Sequence, residues 1–568
     1  ITTNYQKENG DVHMRIALGI HVGHDRGACL IKNKEVIGVI SQERLDRKKH
    51  SRSAAIPYQA IDALLQYCKV DITDIACVGL SYDGVDGDTI LDLYKKEFFA
   101  YYNCSPVPFV IVNHHDAHAY STYYTSGLQK ALILVCDGGG DYHGDRQEAE
   151  SLYVGCGGTL QRISARYQDP PIRRIGDDLN YIYPQMPEVV KQHQISIGRK
   201  YEQVTHLLGF GWGESGKTMG LASYGKPLID YSSLDIKSLD FSLKYGDILD
   251  VVFAKQVLSG LSWEEYIKVN AADIASTVQH YTEMALSSLV KNLSLMYGCN
   301  SICLAGGVFL NCLTNQRIIS NSAVADVFVL PSAGDDGQAL GCAYYAYSKY
   351  VEESKNFSVD IPYLGLSYAN NEVEKTLLCK SLPYKKLEDD ELAQQIAQSL
   401  ASNMIVAIHR GRTEIGPRAL CHRSILANPA NPAMKDILNA RVKHREAFRP
   451  FAPTVIDEDQ YKLFRLVAPS YYMLVATEVS PEHQNQLPSI THVDGTARIQ
   501  VVSEKNEPFI HNVLTKLKKL TGYGVMINTS FNIAGEPIVE KPEDAINTFL
   551  RTNIDCLAIG NFWIEKTL

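Results

Sequence analysis

Hydrophobic and polar positions along this chain alternate in short blocks. From Met14, the apolar run MRIALGIH is followed by the polar turn VGHDRGA and then by CLIKNKEVIGVISQER, a pattern that predicts strands folded around a ligand-sized turn. The plan returns at Ala131, where ALILVCD leads through GGGDYHGDRQEAE into SLYVGCGG. A strand–turn–strand unit is therefore expected twice. Between Ile274 and Leu289 the apolar residues Ile274, Val278, Tyr281, Ala285 and Leu289 fall three and four apart, which predicts a helix packed on one face, with Asp273 as its N-cap. It feeds the apolar strand SICLAGG (Ser301–Gly307), after which Val308–Asn311 opens a helix or turn. Strands mixed with amphipathic helices give an α/β class.

With 568 residues, the chain exceeds the roughly 250–300 residues that one core supports, so two or three domains are expected. The charged, proline-punctuated stretch VEESKNFSVDIPYLGLSY (Val351–Tyr368) separates two runs of elements, which places one domain at 14–355 and a second at 366–568. The polar stretch Ile1–His13 lacks the apolar core of a secretory signal, so Ile1–Asp11 is expected to be a loose tail.

Composition narrows the function. A net charge of −9 argues against a dedicated nucleic-acid binder. No stretch reaches the ~20 apolar residues of a membrane span, and thirteen cysteines without a C-x-x-C pair suit reduced thiols in a cytoplasmic protein. Against this acidic background, residues 409–450 carry nine Lys or Arg and three Asp or Glu, a net of +6.

Candidate chemistry gathers in a few motifs. In NHHDAHAYS, His114 and His118 are four apart, so on a helix they share one face and can grip one ion. Asp137 (CDGGG) and Asp335 (AGDDG), each read as lying at a strand end, can complete the set, with Asp336 as the alternative to Asp335. Two imidazoles with carboxylates suit iron, manganese or zinc. Three glycine turns, Gly23–Ala28, Gly138–Gly140 and Gly306–Gly307, let backbone N–H groups approach phosphate; Gly138, Gly139, Gly306, Gly307 and Asn311 are the candidates there. Farther on, Arg418, Lys443, Arg449 and Arg498 are interleaved with Pro, Phe and Gly rather than with acids. Fixed cations of this kind suit anionic, phosphate-bearing substrates. Asn528 and Ser530 offer neutral hydrogen bonds beside them.

At these residues the chain resembles the nodulation/cephamycin-type carbamoyltransferase family. The likeness runs through GIHVGHDRGACLI, QERLDRKKH, HHDAH, SIGRKYEQVTHLLGF, GKTMGLASYG, LAGGVFLN, AGDDGQALG, GPRAL, NARVKHREAFRPFAP, INTSFN and GEPIV. The resemblance implies an amino-terminal actin-like (ASKHA) two-lobed domain and a carboxy-terminal YrdC-like α/β domain. It implies an ATP-dependent O-carbamoyltransferase, which makes carbamoyl-adenylate from ATP and carbamoyl phosphate and passes the carbamoyl group to a hydroxyl of a small-molecule natural product. Lys443 and Arg449 would serve adenylation, with Arg418, Arg498, Asn528 and Ser530 holding ATP, its Mg2+ and carbamoyl phosphate. His114, His118, Asp137 and Asp335 would hold a divalent metal, Fe2+ ahead of Zn2+ or Mn2+. His24 would act as general base, the alternative being a phosphate-loop donor with no proton role. The sequence departs from the usual H-D-A-S of the first turn in reading His24-Asp25-Arg26-Gly27, so Arg26 either tunes the acceptor or points to solvent; the run Arg47–His50 is a solvated face or a substrate contact. A homodimer is compatible with this reading. The acceptor, whether aminoglycoside, macrocycle, cephem, sugar or guanidinium alkaloid, is not legible, and its pocket is expected around Gln168–Ile197 and Asp230.

Two other readings compete. A hydrogenase-maturation or threonylcarbamoyl enzyme of tRNA modification calls for C-x-x-C zinc pairs or a basic face. A non-catalytic actin-like nucleotide switch leaves the histidine pair and the Arg–Lys set without work.

Overall fold

The computed structural model describes residues 16–82, 88–169, 195–241, 248–351 and 361–566. Five strands form the first sheet: β1 (Ile16–Val22), β2 (Gly27–Lys32), β3 (Glu35–Ser41), β4 (Ile75–Tyr82) and β5 (Phe109–Ile111), in the order β3-β2-β1-β4-β5. β1 runs antiparallel to β2 and β2 to β3, whereas β1–β4 and β4–β5 are parallel. The second sheet contains β6 (Lys130–Cys136), β7 (Tyr142–His143), β8 (Arg146–Cys156), β9 (Thr159–Gln168), β10 (Ser301–Ala305) and β11 (Asp326–Val329). Here β9, β8, β6, β10 and β11 lie side by side, antiparallel across the first two pairings and parallel across the last two. The same topology thus occurs twice, as the repeated strand–turn–strand pattern predicts, and two such lobes fit the two-lobed domain that the family resemblance implies.

β1 is buried along its whole length, and β6 everywhere except Lys130, as their unbroken apolar runs require of strands covered on both faces. Helices His114–Ser126 and Gln338–Tyr350 fill the space between the two sheets, sharing a core with Ala17, Cys29, Ile133, Val135 and Cys303. The approach is close: a Cβ on Gly19 of β1 would lie 1.9 Å from the Ala339 carbonyl oxygen.

The helix expected at Ile274–Leu289 is longer than its apolar stripe. It runs Trp263–Tyr297, capped by Ser262 in a capping box with Glu265, and is interrupted by non-helical backbone at Asn270. Asp273 is therefore interior, and its carboxylate accepts from the Lys226 backbone N–H at 2.8 Å. The first two turns carry exposed charge and only Tyr266 fully buried, so periodicity alone missed them.

The carboxy-terminal part is likewise α/β. β12 (Lys385–Lys386), β13 (Val406–His409), β14 (Arg423–Ala427), β15 (Ala452–Ile456), β16 (Ala476–Glu478), β17 (Thr496–Arg498), β18 (Gln500–Val502), β19 (Val525–Ser530), β20 (Cys556–Ile559) and β21 (Phe562–Glu565) make a mixed sheet β12-β21-β20-β13-β14-β19-β15-β18 and a small β16–β17 pair. Side chains alternate across the large sheet. Val406, Ile408, Leu426 and Met526 pack on helices Asp389–Ala401 and Pro508–Thr521, while Ala407, Ile425 and Ile527 pack on the opposite side with Ala545, Ile546 and Phe549 of helix Pro542–Arg551. No helix among the described residues is long and apolar enough to cross a membrane, and all thirteen cysteines are free thiols.

Candidate functional site

The histidine cluster is built from three elements. Asn113 caps helix His114–Ser126, its side chain accepting from Asp116 N–H at 3.1 Å, and the helical repeat stacks His114 and His118 with ring centroids 5.0 Å apart. Asp137 follows β6 directly. Asp335 does not sit at a strand end as the sequence suggests: β11 stops at Val329, and Asp335 opens a 3-10 turn, Asp335–Gly337, that runs into helix Gln338–Tyr350. His114 Nε2 lies 3.4 Å from Asp137 Oδ2 and 3.4 Å from Asp335 Oδ1; His118 Nε2 lies 2.9 and 3.2 Å from the same atoms.

Burial opposes ionisation of Asp335, yet the charges of His24 and His114 and the hydrogen bonds of His114 and His118 hold it well below the usual carboxylate range; Asp137 is lowered in the same way, against burial and the repulsion of Asp335. His118 is raised, because its two carboxylate partners outweigh burial. Asp336 goes the other way, pushed well above the ordinary value by burial and by Asp25, Glu43 and Asp335. By these distances Asp335, not Asp336, faces the histidines. The four donor atoms lie within 4.8 Å of one another. Two imidazole nitrogens with two carboxylate oxygens are a donor set that would fit a divalent ion of the iron, zinc or manganese kind.

His24 borders this cluster. Its Nδ1 meets Asp25 Oδ2 at 3.0 Å and its Nε2 meets Asp335 Oδ2 at 3.0 Å, so both ring nitrogens face carboxylate acceptors. Asp25 in turn accepts from His50 Nδ1 at 2.8 Å. Burial works against the Asp25 carboxylate, but the His24 and His50 hydrogen bonds bring it down to about 2. Trp212 stands edge-on to both rings, 5.0 Å from His24 and 5.2 Å from His50. Arg26 neither enters the site nor points to solvent: it bonds Ser51 O, Ser51 Oγ and Ala55 O and pairs with Asp46 at 3.6 Å, which fixes the 46–55 turn.

The cationic set comes from the carboxy-terminal part. Lys443 is buried, and its Nζ donates to Ser530 O at 2.5 Å, Asn532 Oδ1 at 2.9 Å, Asn532 O at 3.1 Å and Ser530 Oγ at 3.3 Å. Burial and then Arg445, Arg449 and Lys49 press its amine well below the ordinary lysine value. Arg418 is pushed down to about 9 by burial and by Arg498, and Arg445 to about 9 by burial and by Arg449 and Arg498; both guanidiniums stay charged at neutral pH. The Nε atoms of Arg418 and Arg498 are buried without a hydrogen-bond partner. Cations packed this way, with Glu446 3.6 Å from Arg449, are stabilised by an arriving polyanion.

These groups line one cavity of about 1680 Å³ that takes in His24, Asp137, Asp335, Arg418, Lys443, Arg449, Arg498, Asn528 and Ser530. The cation set and the histidine–carboxylate cluster lie at two ends of this single space. His114 and His118 stand behind Asp137 and Asp335 rather than in the lining. Asn311 reaches the cavity, but its amide is tied to Gln279 and to Thr314 N–H as the cap of helix Cys312–Ile319. The Asn528 amide nitrogen bonds Gln500, Thr454, Cys421 and Ala419, leaving buried Oδ1 unbonded. Arg445, Asn532 and Trp212 also line the space and are not among the residues expected from the sequence, while Lys49 and His50, from the run read as a solvated face or a substrate contact, line it too. Arg445 and Asn532 stand inside the motifs NARVKHREAFRPFAP and INTSFN, so the signal was present.

The glycines differ in kind. Gly138 faces open space, whereas a Cβ on Gly306, at φ +96°, would lie 2.1 Å from the Cys136 carbonyl oxygen. Gly306→Ala is expected to cost about 2 kcal/mol or more in denaturant unfolding, and Gly138→Ala less than about 1 kcal/mol. Equal losses would contradict this packing.

Residues 101–344 match the family described as Carbamoyltransferase N-terminus, and residues 397–566 match Carbamoyltransferase C-terminus. The nodulation protein NolNO of Sinorhizobium fredii is 30% identical over 96% of this chain and 79% of its own length. The 3'-hydroxymethylcephem-O-carbamoyltransferase of Amycolatopsis lactamdurans is 35% identical over 46% of this chain and 48% of its own. Among solved structures, full-length HypF in its phosphate- and nucleotide-bound form aligns over 59% of this chain and 46% of that one, with 17% identity and a TM-score of 0.41. The chain belongs to the carbamoyltransferase family, and its activity is carbamoyl transfer.

Proposed function

We propose that the protein is an ATP-dependent O-carbamoyltransferase that works in two steps at the two ends of its cavity. The observation that carries this reading is the pairing, in one space, of a nearly acid-free cation set with a histidine–carboxylate cluster. The domains assigned to the steps are 366–568 for activation and 14–355 for transfer.

At the cationic end, carbamoyl phosphate takes up water to give carbamate and phosphate; a carbamate oxygen then attacks the α-phosphorus of ATP, and pyrophosphate leaves with Mg2+. Lys443, Arg449, Arg418 and Arg498 hold the phosphates and gather the charge of the transition state. The nitrogen lone pair makes a carbamoyl carbonyl a poor electrophile, and AMP supplies the leaving group it lacks. At the other end the acceptor hydroxyl attacks the carbamoyl carbon, AMP departs, and the hydroxyl proton passes to His24, whose Nε2 exchanges Asp335 for the substrate. His114, His118, Asp137 and Asp335 hold a divalent metal, Fe2+ in preference to Zn2+ or Mn2+, which when bound supplies Lewis-acid stabilisation of oxygen charge. The acceptor is a hydroxyl of a small-molecule natural product. The free cysteines support a reducing, cytoplasmic setting. Most of the acceptor segment expected around Gln168–Ile197 lies outside the described residues.

Incubation with ATP, carbamoyl phosphate, Mg2+ and Fe2+ is expected to release pyrophosphate only when both substrates are present. No pyrophosphate under any of Fe2+, Zn2+ or Mn2+ would reject the activation step and favour the nucleotide switch.

A further inference from the structure

The turn after β3 is the seam between the two ends of the cavity. Helix Gln42–Asp46 closes on Arg47 in the left-handed region, at φ 59°, and His50 repeats that conformation at φ 60°. Two left-handed residues turn the chain sharply, so that neighbouring side chains leave in different directions. His50 points back into the amino-terminal lobe, onto Asp25, and through it to His24. Arg47 points across into the carboxy-terminal part, donating from Nη1 to Ile538 O at 2.6 Å and from Nη2 to Pro537 O at 2.9 Å, with Asp544 3.9 Å from Nε.

The loop that Arg47 grips is not remote from the chemistry. Glu536 O, one residue before Pro537, accepts from Asn532 Nδ2 at 2.6 Å, and Asn532 Oδ1 accepts from Lys443 Nζ at 2.9 Å. A thread of hydrogen bonds and one short turn therefore runs from Asp335 through His24, Asp25 and His50 to Arg47, and onward through Pro537, Glu536 and Asn532 to Lys443. Arg44, in the same turn, donates to Gly416 O at 3.1 Å, two residues from Arg418.

We propose that Arg47 is a positioning residue: by holding two successive carbonyls of the 537–538 loop from the opposite domain, it sets Asn532 and so fixes the Lys443 ammonium for adenylation. The inference rests on the activation step proposed above. Arg47 touches no reacting atom. A planar guanidinium suits the task because it presents two parallel N–H donors to two neighbouring oxygens, which an ammonium cannot do at once.

The test is a double-mutant cycle on steady-state pyrophosphate formation from ATP and carbamoyl phosphate, with Arg47→Ala, Asn532→Ala and the pair, each first shown to be folded by thermal unfolding. Arg47→Ala is expected to lower kcat about tenfold with KM for ATP changed less than about threefold, and Arg47→Lys to recover part of the loss. Because both residues act on Lys443 through one thread, the double variant is expected to fall within about twofold of the poorer single variant. Multiplied losses in the double variant, a kcat for Arg47→Ala within twofold of the unsubstituted enzyme, or a loss confined to KM would each overturn the proposal. Failure of the unsubstituted protein to form pyrophosphate would instead reject the activation step.

Discussion

Lys443→Met abolishes activation: pyrophosphate formation from ATP and carbamoyl phosphate falls by about 10²–10³-fold, the loss found when one preorganised charge-stabilising donor is removed. The reason lies in how the amine is held. Four oxygens from Ser530 and Asn532 surround Nζ, while burial and the neighbouring cations weaken its hold on a proton. A phosphate oxygen brings the negative charge that this environment lacks, so Lys443 contributes most once the anion, and then the more highly charged transition state, is in place. Methionine keeps the length and removes the donor. Thermal unfolding separates loss of chemistry from loss of fold; a folded variant with pyrophosphate formation within about tenfold of the unsubstituted protein would contradict the assignment.

The second large effect has the opposite pattern. His118→Ala is expected to leave pyrophosphate formation within about threefold while lowering carbamoyl transfer by at least about 100-fold. His118 Nε2 touches Asp137 at 2.9 Å and Asp335 at 3.2 Å, and its loss leaves buried Asp335 and partly buried Asp137 facing each other with one imidazole between them. Metal binding and the placement of Asp335 against His24 suffer together, whereas the cation set of residues 418–498 is untouched. Transfer is followed by mass spectrometry of a small-molecule extract of the source cells, as the gain of one carbamoyl group on a hydroxyl compound. Equal losses in both readouts with the fold intact would contradict the division of labour.

Much of this site is legible in local spacing. The four-residue step between His114 and His118 fixes a shared helical face wherever a helix forms, and the glycines of CDGGG and LAGG mark tight turns at the ends of buried strands. Other parts depend on geometry that spacing does not carry. Asp335 and Asp336 are chemically alike in the sequence; only the 3-10 turn decides that the first meets the imidazoles and the second is driven towards its neutral form. The start of the helix at Trp263 escaped notice because its first turns are solvated and lack an apolar stripe. Asn528 and Asn311 read as ligands, yet most of their hydrogen-bonding capacity holds the scaffold. The union of the two ends into one cavity follows from docking Arg44 and Arg47 on backbone carbonyls at positions 416, 537 and 538, contacts more than 370 residues apart that no local pattern encodes.

Trapping the intermediate tests the central claim most directly. A single turnover of His118→Ala with ATP and carbamoyl phosphate, quenched and analysed by chromatography and mass spectrometry, is predicted to yield pyrophosphate together with carbamoyl-adenylate. Pyrophosphate without carbamoyl-adenylate, or neither, would contradict a reaction divided between the two ends of this cavity.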